Sequence, residues 1–204
     1  MEVSAPIHRP RCFVSEGDPP SKQSVLRAAL ELFVEHGVHA TNVRMIAKAA
    51  GYTNPAMFKF FASKDALALF LFERCYGQLH RAVEDAAGRG AFHEALAGVV
   101  DAFVSQMDDD LEAVLFVQDS LRELWPRLPA RARKRSILRA LREMFERGIR
   151  EGAVTGFPST DVPVAALVGL MAQLGRMLYF GEVEGSARAQ GASLELAIGR
   201  MLKG

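Results

Sequence analysis

Cysteine is nearly absent: Cys12 and Cys75 stand alone and far apart, which excludes a disulfide framework and a cysteine-based zinc site. A charge of one sign is missing too. Lys+Arg number 25 against 24 Asp+Glu, so neither a basic coat for nucleic acid nor an acidic tail is present. No apolar run opens the chain. Its first twenty residues mix charges with Pro6, Pro10, Pro19 and Pro20, which reads as a disordered tail rather than a signal peptide. Within that tail Arg9 and Arg11 offer a basic arm for a minor groove. Enzyme motifs are lacking as well. No H-E-x-x-H or G-x-S-x-G occurs, His80 and His93 are isolated, and no glycine loop sits between a strand and a helix. Asp108-Asp109-Asp110 has no second ligand at helical spacing and reads as a solvated helix start. The expectation is no enzyme, no metal, no cofactor and a reducing cytoplasm.

What remains is helical pattern. At 204 residues, 50% hydrophobic, the chain is long enough for a proper core in one or two domains. Past Pro19-Pro20, Ser21 can cap a helix running to His36, with Leu26, Ala29, Leu30 and Phe33 inward and Gly37 as its stop. Thr41 to Lys64 then reads as two short helices joined by a glycine turn. Asn42 caps the first, whose Val43, Ile46, Ala47 and Ala50 share a face while Arg44 and Lys48 look away. Gly51 ends it, Thr53 caps the second, and Pro55 sits in that helix's first turn. The second helix, 54–60, is too short to stand alone and needs support from behind. Two such helices form a helix-turn-helix, whose second member enters the DNA major groove.

The run ATNVRMIAKAAGYTNPAMFKFFASKDALALF resembles the DNA-binding segment of the tetracycline-repressor (TetR) family of bacterial transcription regulators. Val43, Arg44, Ile46, Ala47, Ala50, Gly51, Pro55, Ala56, Phe61, Ser63, Lys64 and Leu67 keep that family's pattern, inside a match of about sixty residues from the first helix through the start of the fourth, while Phe58 stands where a tyrosine is usual. The resemblance implies a phosphate contact from Lys64, and repression more often than activation. Asn54, Ala56, Met57 and Lys59 are the expected base-facing positions, Phe58 adds apolar contact, and Asn42 and Arg44 hold phosphates. Thr53 and Pro55 complete the candidate DNA-binding set.

Ser63 caps a fourth helix, with Asp65 in its first turn, and this rod joins the head to the remainder. Gly88-Arg89-Gly90 breaks it. Beyond Gly90 no strand signal appears. One helix follows from Phe92 to Met107, another from Leu111 to Trp125, and a third from Ala130 to Glu151 with a basic exterior. Asp161 to Phe180 carries no charge between Val162 and Gly175, a run shorter than the ~20 residues of a membrane span. A helix apolar all round must be covered on every side. Ala165, Val168, Gly169 and Ala172, with Leu194, Ala197, Ile198 and Met201 on a last helix from Ser193 to Leu202, predict a symmetric four-helix interface between two copies. The TetR resemblance implies the same arrangement.

The expected architecture is all-α: a tail over 1–20, a three-helix helix-turn-helix DNA-binding domain over 21–67, and a helical ligand-binding and dimerisation domain over 68–204. The expected function is a sequence-specific DNA-binding transcriptional regulator, a repressor released from a palindromic operator by a small, largely apolar molecule. Phe103, Met107, Phe116, Trp125, Met144, Phe145, Met171, Leu174 and Met177 are the candidate lining, with Gln118 or Gln173 as polar partner. The expected partners are double-stranded operator DNA, a second copy and an unidentified small-molecule effector, with no membrane. An adaptor that binds no DNA explains the helices but not the helix-turn-helix, and an all-helical enzyme explains neither.

Overall fold

The computed structural model describes residues 13–53 and 58–203, and among these every regular element is a helix. Chain packing begins earlier than the tail boundary predicted at residue 20. Phe13 is fully buried, and the Asp18 carboxylate accepts from the Ser15 amide, Lys22 Nζ and Arg74 Nη1 at 3.0, 2.7 and 2.7 Å. Arg74 also donates to the Phe13 carbonyl at 2.8 Å. Residues 13–19 therefore belong to the head. Arg9, Arg11 and Cys12 lie outside the described residues.

Helix α1 (Pro20–Ala40) starts one residue before the predicted Ser21 cap. Proline suits the first helical position because it has no N–H to leave unpaired. Helical geometry breaks at Gly37 (φ 80°, ψ 157°), as its position after the apolar run predicts, and one further turn carries on to Ala40. α2 (Val43–Ala49) is capped by Asn42, whose side chain accepts from the Met45 amide at 3.1 Å. It ends in a Schellman closure: Gly51 N–H donates to Lys48 O and Tyr52 N–H to Ala47 O, with Gly51 at φ 76°. α3 (Lys64–Ala87) is capped by Ser63 and closed at Gly88, the ends the sequence predicts.

α4 (Phe92–Leu124) is one element of 33 residues with a break at Asp110 (φ −158°, ψ 76°), where the sequence predicts two helices. Asp110 caps the second half by accepting from the Ala113 amide, so the predicted boundary is a kink rather than a loop. A 3₁₀ turn, Trp125–Arg127, closes α4. The single helix predicted over 130–151 is two: α5 (Ala130–Arg133) and α6 (Ile137–Arg150). Ser136 divides them, accepting from the Arg139 amide, while the Tyr76 hydroxyl accepts from the Ile137 amide at 3.0 Å. A basic run hides this junction because capping depends on one serine. α7 (Asp161–Tyr179) and α8 (Gly191–Met201) follow, the latter opened by a 3₁₀ turn at Arg188–Gln190. Asp108 accepts from the amides of Ala187 and Arg188, which gives one acid of the triple a positioning role.

One continuous core runs from Phe13 through α1, α3, α4 and α6 to Leu202. Head and body meet where the Phe116 ring of α4 stacks on Phe33 of α1 at 5.7 Å and takes Phe72 of α3 edge-on at 6.5 Å. Gly148 of α6 lies against Phe92 of α4, and a Cβ there would come within 2.5 Å of that ring. The two helices can cross this closely only at a glycine.

Candidate nucleic-acid interface and ligand cavity

The head presents a face of unburied side chains. Asn42, Arg44, Lys48, Tyr52, Thr53, Phe58 and Lys59 are all exposed, and Arg44 and Lys48 have no ion-pair partner among the described residues. The cap uses only the Asn42 oxygen, so its amide group remains free to donate. Behind them, Phe61 is buried edge-on to Phe70 at 5.2 Å. Lys22 covers that pair, its ammonium 4.7 Å from the Phe70 ring. Asn54, Pro55, Ala56 and Met57, four of the predicted DNA-binding residues, lie outside the described residues. Tyr52 and Lys48 extend the exposed face beyond the predicted set. The signal for both was their place beside Gly51, on the side of α2 away from its apolar stripe.

Lys64 is placed differently from the expectation of a phosphate contact. Its ammonium donates to the carbonyls of Val38, Thr41 and His39 at 2.6, 2.8 and 3.3 Å. These are acceptors left over at and just past the end of α1, and the Thr41 hydroxyl shares its one proton between two more, on Leu32 and Gly37. The three donors of the lysine are thereby used inside the protein. Asp18 anchors the opposite end of α1. Burial alone would raise its carboxyl, but the bonds from Lys22, Ser15 and Arg74 and the Arg74 charge outweigh that and hold it far below the usual carboxylate range.

In the body, a cavity of about 520 Å³ opens between α3, α4, α6 and α7. Of the predicted lining, Phe103, Gln118, Trp125 and Met171 face it. The other six do not. Phe116 is at the head–body junction, Phe145 packs on Phe92, and Met107, Met144 and Leu174 are buried away from this cavity, as is the half-buried Met177. A helical stripe marks a residue as inward, but core and cavity wall share that signature. Tyr76, Leu79, Val117, Ile137 and Leu138 line the cavity without having been predicted. Gln173 is exposed. Gln118 Oε1 is enclosed and has no hydrogen-bond partner among the described residues, an acceptor left open in an apolar wall. Arg133 and Arg142 stand at the rim, Arg142 paired with Asp161 at 3.2 Å. The Tyr76 ring lies 4.8 Å from Trp125, and burial pushes its phenol up although the Ile137 amide bond works against that.

The predicted interface residues divide. Ala165, Gly169 and Ala197 are exposed, and Val168, Ala172, Leu194 and Met201 are half-buried. Ile198 is fully buried in this chain's own core, which removes it from the interface. Val168 and Ala172 also border the cavity. Val162, Leu170, Leu196, Tyr179 and Phe180 are large and exposed beside them, Phe180 at 70%. By length and composition α7 could cross a membrane, and only 33% of it is covered within one chain.

An exposed, Asn42-capped α2 with its glycine turn, carried on a helical body with its own cavity, fits a DNA-binding transcriptional regulator. A family model described as bacterial regulatory proteins, tetR family, matches residues 25–70. The fatty acid metabolism regulator protein of Bacillus subtilis is 26% identical over 166 residues, 81% of this chain and 80% of that one. The ketosteroid transcriptional regulator KstR2 of Mycobacterium tuberculosis superposes with a TM-score of 0.79 at 19% identity, over 93% of this chain and 98% of that one. The transcriptional regulator FadR of Bacillus subtilis, solved in complex with stearoyl-CoA, gives 0.66 at 22%, over 87% and 97%. Over residues 25–70 the chain matches the TetR-family model, and over most of its length it is similar to transcriptional regulators.

Proposed function

We propose that this protein is a dimeric repressor, working on DNA in the cytoplasm and released from a near-palindromic operator by an amphiphile with a long apolar part. The cavity carries this reading. Its wall is apolar, one unpaired acceptor waits inside at Gln118, and two arginines stand at the mouth. The fatty acid metabolism regulator and the stearoyl-CoA complex among its relatives support the same ligand class.

Residues 13–67 form the head and 68–204 the body. Two copies joined through α7 and α8 set two heads about 34–36 Å apart, one duplex turn, on successive major grooves. In each, Asn42, Arg44 and Lys48 hold phosphates, while Phe58, Lys59 and the predicted positions Asn54, Ala56 and Met57 meet bases. Thr53 and Pro55 start that helix. Lys64 braces the segment from behind.

Release travels through the end of α4. Trp125 forms part of the cavity wall and begins the 3₁₀ turn whose Arg127 reaches Asp65, in the first turn of α3, at 3.5 Å. Glu123, one turn earlier, meets His39 at 3.0 Å. Exposed ion pairs add little stability, so these two act as guides. A ligand that displaces Trp125 moves the turn, and with it both ends of the helix-turn-helix. The ligand must bind the displaced state more tightly, since only differential affinity shifts an equilibrium.

Trp125 is the chain's one tryptophan. Titration with dodecanol should change its emission and weaken operator binding in parallel. Binding that leaves the emission unmoved would put the ligand elsewhere.

A further inference from the structure

A second cavity, of about 380 Å³, lies on the other side of Ser136, between the C-terminal half of α3 and the start of α6. Its character is opposite to the first. Lys134, Arg135 and Arg139 crowd its edge, and all three stand at the N-terminal end of α6. That end of a helix is already positive, and no acidic residue occupies its first turn. Cations gathered there raise the local potential and do nothing for the stability of α6. Glu143 pairs with Arg139 at 2.8 Å, which leaves Lys134 and Arg135 without an ion-pair partner among the described residues. Glu84 is the other acid on the wall.

The wall also holds a largely buried imidazole that makes no hydrogen bond among the described residues. His80 is 6% exposed; Glu84, its nearest charged neighbour, is 3.7 Å from Nδ1, beyond hydrogen-bond reach, and its ring stacks on Tyr76 at 6.2 Å. Ser136 and Tyr76 connect this cavity to the apolar one. Ser136 lines both, and Tyr76 lines the apolar cavity while its ring backs His80.

We infer that this basic cavity binds a phosphate group, with Lys134 and Arg135 as its cationic grip and His80 donating from the wall. The phosphate is either the head of the amphiphile whose tail fills the apolar cavity or a free phosphorylated metabolite. The first source rests on the reading of the apolar cavity given above; the second does not.

Calorimetry on the full-length protein separates them, using dodecyl phosphate, dodecanol and inorganic pyrophosphate as probes. Dodecyl phosphate should bind at least about tenfold more tightly than dodecanol. The Lys134→Ala/Arg135→Ala variant should lose that advantage while its affinity for dodecanol stays unchanged, and His80→Gln should lose part of it. Both lysine and arginine are exposed, so the double variant is expected to fold and to bind operator as before. Pyrophosphate binding that the double variant abolishes supports the free-metabolite source. Equal affinities for dodecyl phosphate and dodecanol, with no pyrophosphate binding, overturn the phosphate site and leave the apolar cavity standing. Failure of dodecanol alone to bind counts against the apolar cavity instead. A double variant that keeps the full phosphate advantage overturns the assignment to these residues.

Discussion

The two most apolar long helices of this protein are used in different ways. α4 is enclosed by its own chain: Phe92, Val99, Phe103, Val114, Phe116 and Leu124 are all buried, against α1, α3, α6 and α7. α7 is more uniformly apolar, yet its own chain covers one side, at Pro163, Val164, Leu167, Met171 and Leu174, and leaves Val162, Gly169 and Leu170 outside. Hydrophobicity alone therefore does not say how much of a helix its own chain covers. What distinguishes them is how many neighbouring elements the chain provides. Among the described residues α7 packs on α4, α6 and α8.

That contrast can be broken from either side. Phe116→Ala removes the ring shared by Phe33 and Phe72 and should cost about 3–5 kcal/mol, read by chemical denaturation. A loss below about 1 kcal/mol would mean that the junction repacks freely. Gly169→Arg should leave the unfolding midpoint of the single chain nearly unchanged, since nothing lies within 4 Å of a Cβ there. The same change should separate the copies in sedimentation and lower operator affinity roughly a hundredfold, because two linked heads bind with far more avidity than one. A variant that still sediments as a dimer would move the interface elsewhere.

Two polar ties sharpen the comparison at smaller scale, both at the ends of α1. Asp18→Asn should destabilise by about 2 kcal/mol at neutral pH. The folded carboxyl is depressed, so its contribution is complete above the unfolded value of about 3.9 and fades as pH falls below that. The difference between wild type and variant should therefore shrink in acid; a constant difference would mean that packing and not charge is at stake. Lys64→Met should cost on the order of 1–2 kcal/mol and weaken DNA binding with its salt dependence intact. A slope lower by about one unit would restore the phosphate contact that the resemblance implies.

Much of this was legible in the residues themselves. Asn42, Ser63, Gly37 and Gly51 mark their helix ends because capping is local chemistry, carried by one side chain or one glycine. The all-helical class follows from periodicity for the same reason. What stayed hidden depends on the third dimension. Phe13 and Asp18 sit among prolines and charges, and only Arg74, 56 residues away, reveals that they are fastened. Ser136 looks like any serine in a basic run until Tyr76 takes the next amide. Ile198 and Leu196 are equally apolar in sequence, and neighbouring helices decide that one is buried and the other is not. For Lys64, the motif pointed outward to DNA while the geometry turns it back onto α1.

The placement of Lys64 has a mechanical meaning. By gripping the peptide groups of residues 38–41 it ties the exit of the DNA-reading segment to its entrance, so the intervening chain forms a closed loop held by one cation. A pull on α3 then cannot be absorbed by slack between the two helices. The tie to residues 38–41 carries it straight to the end of α1.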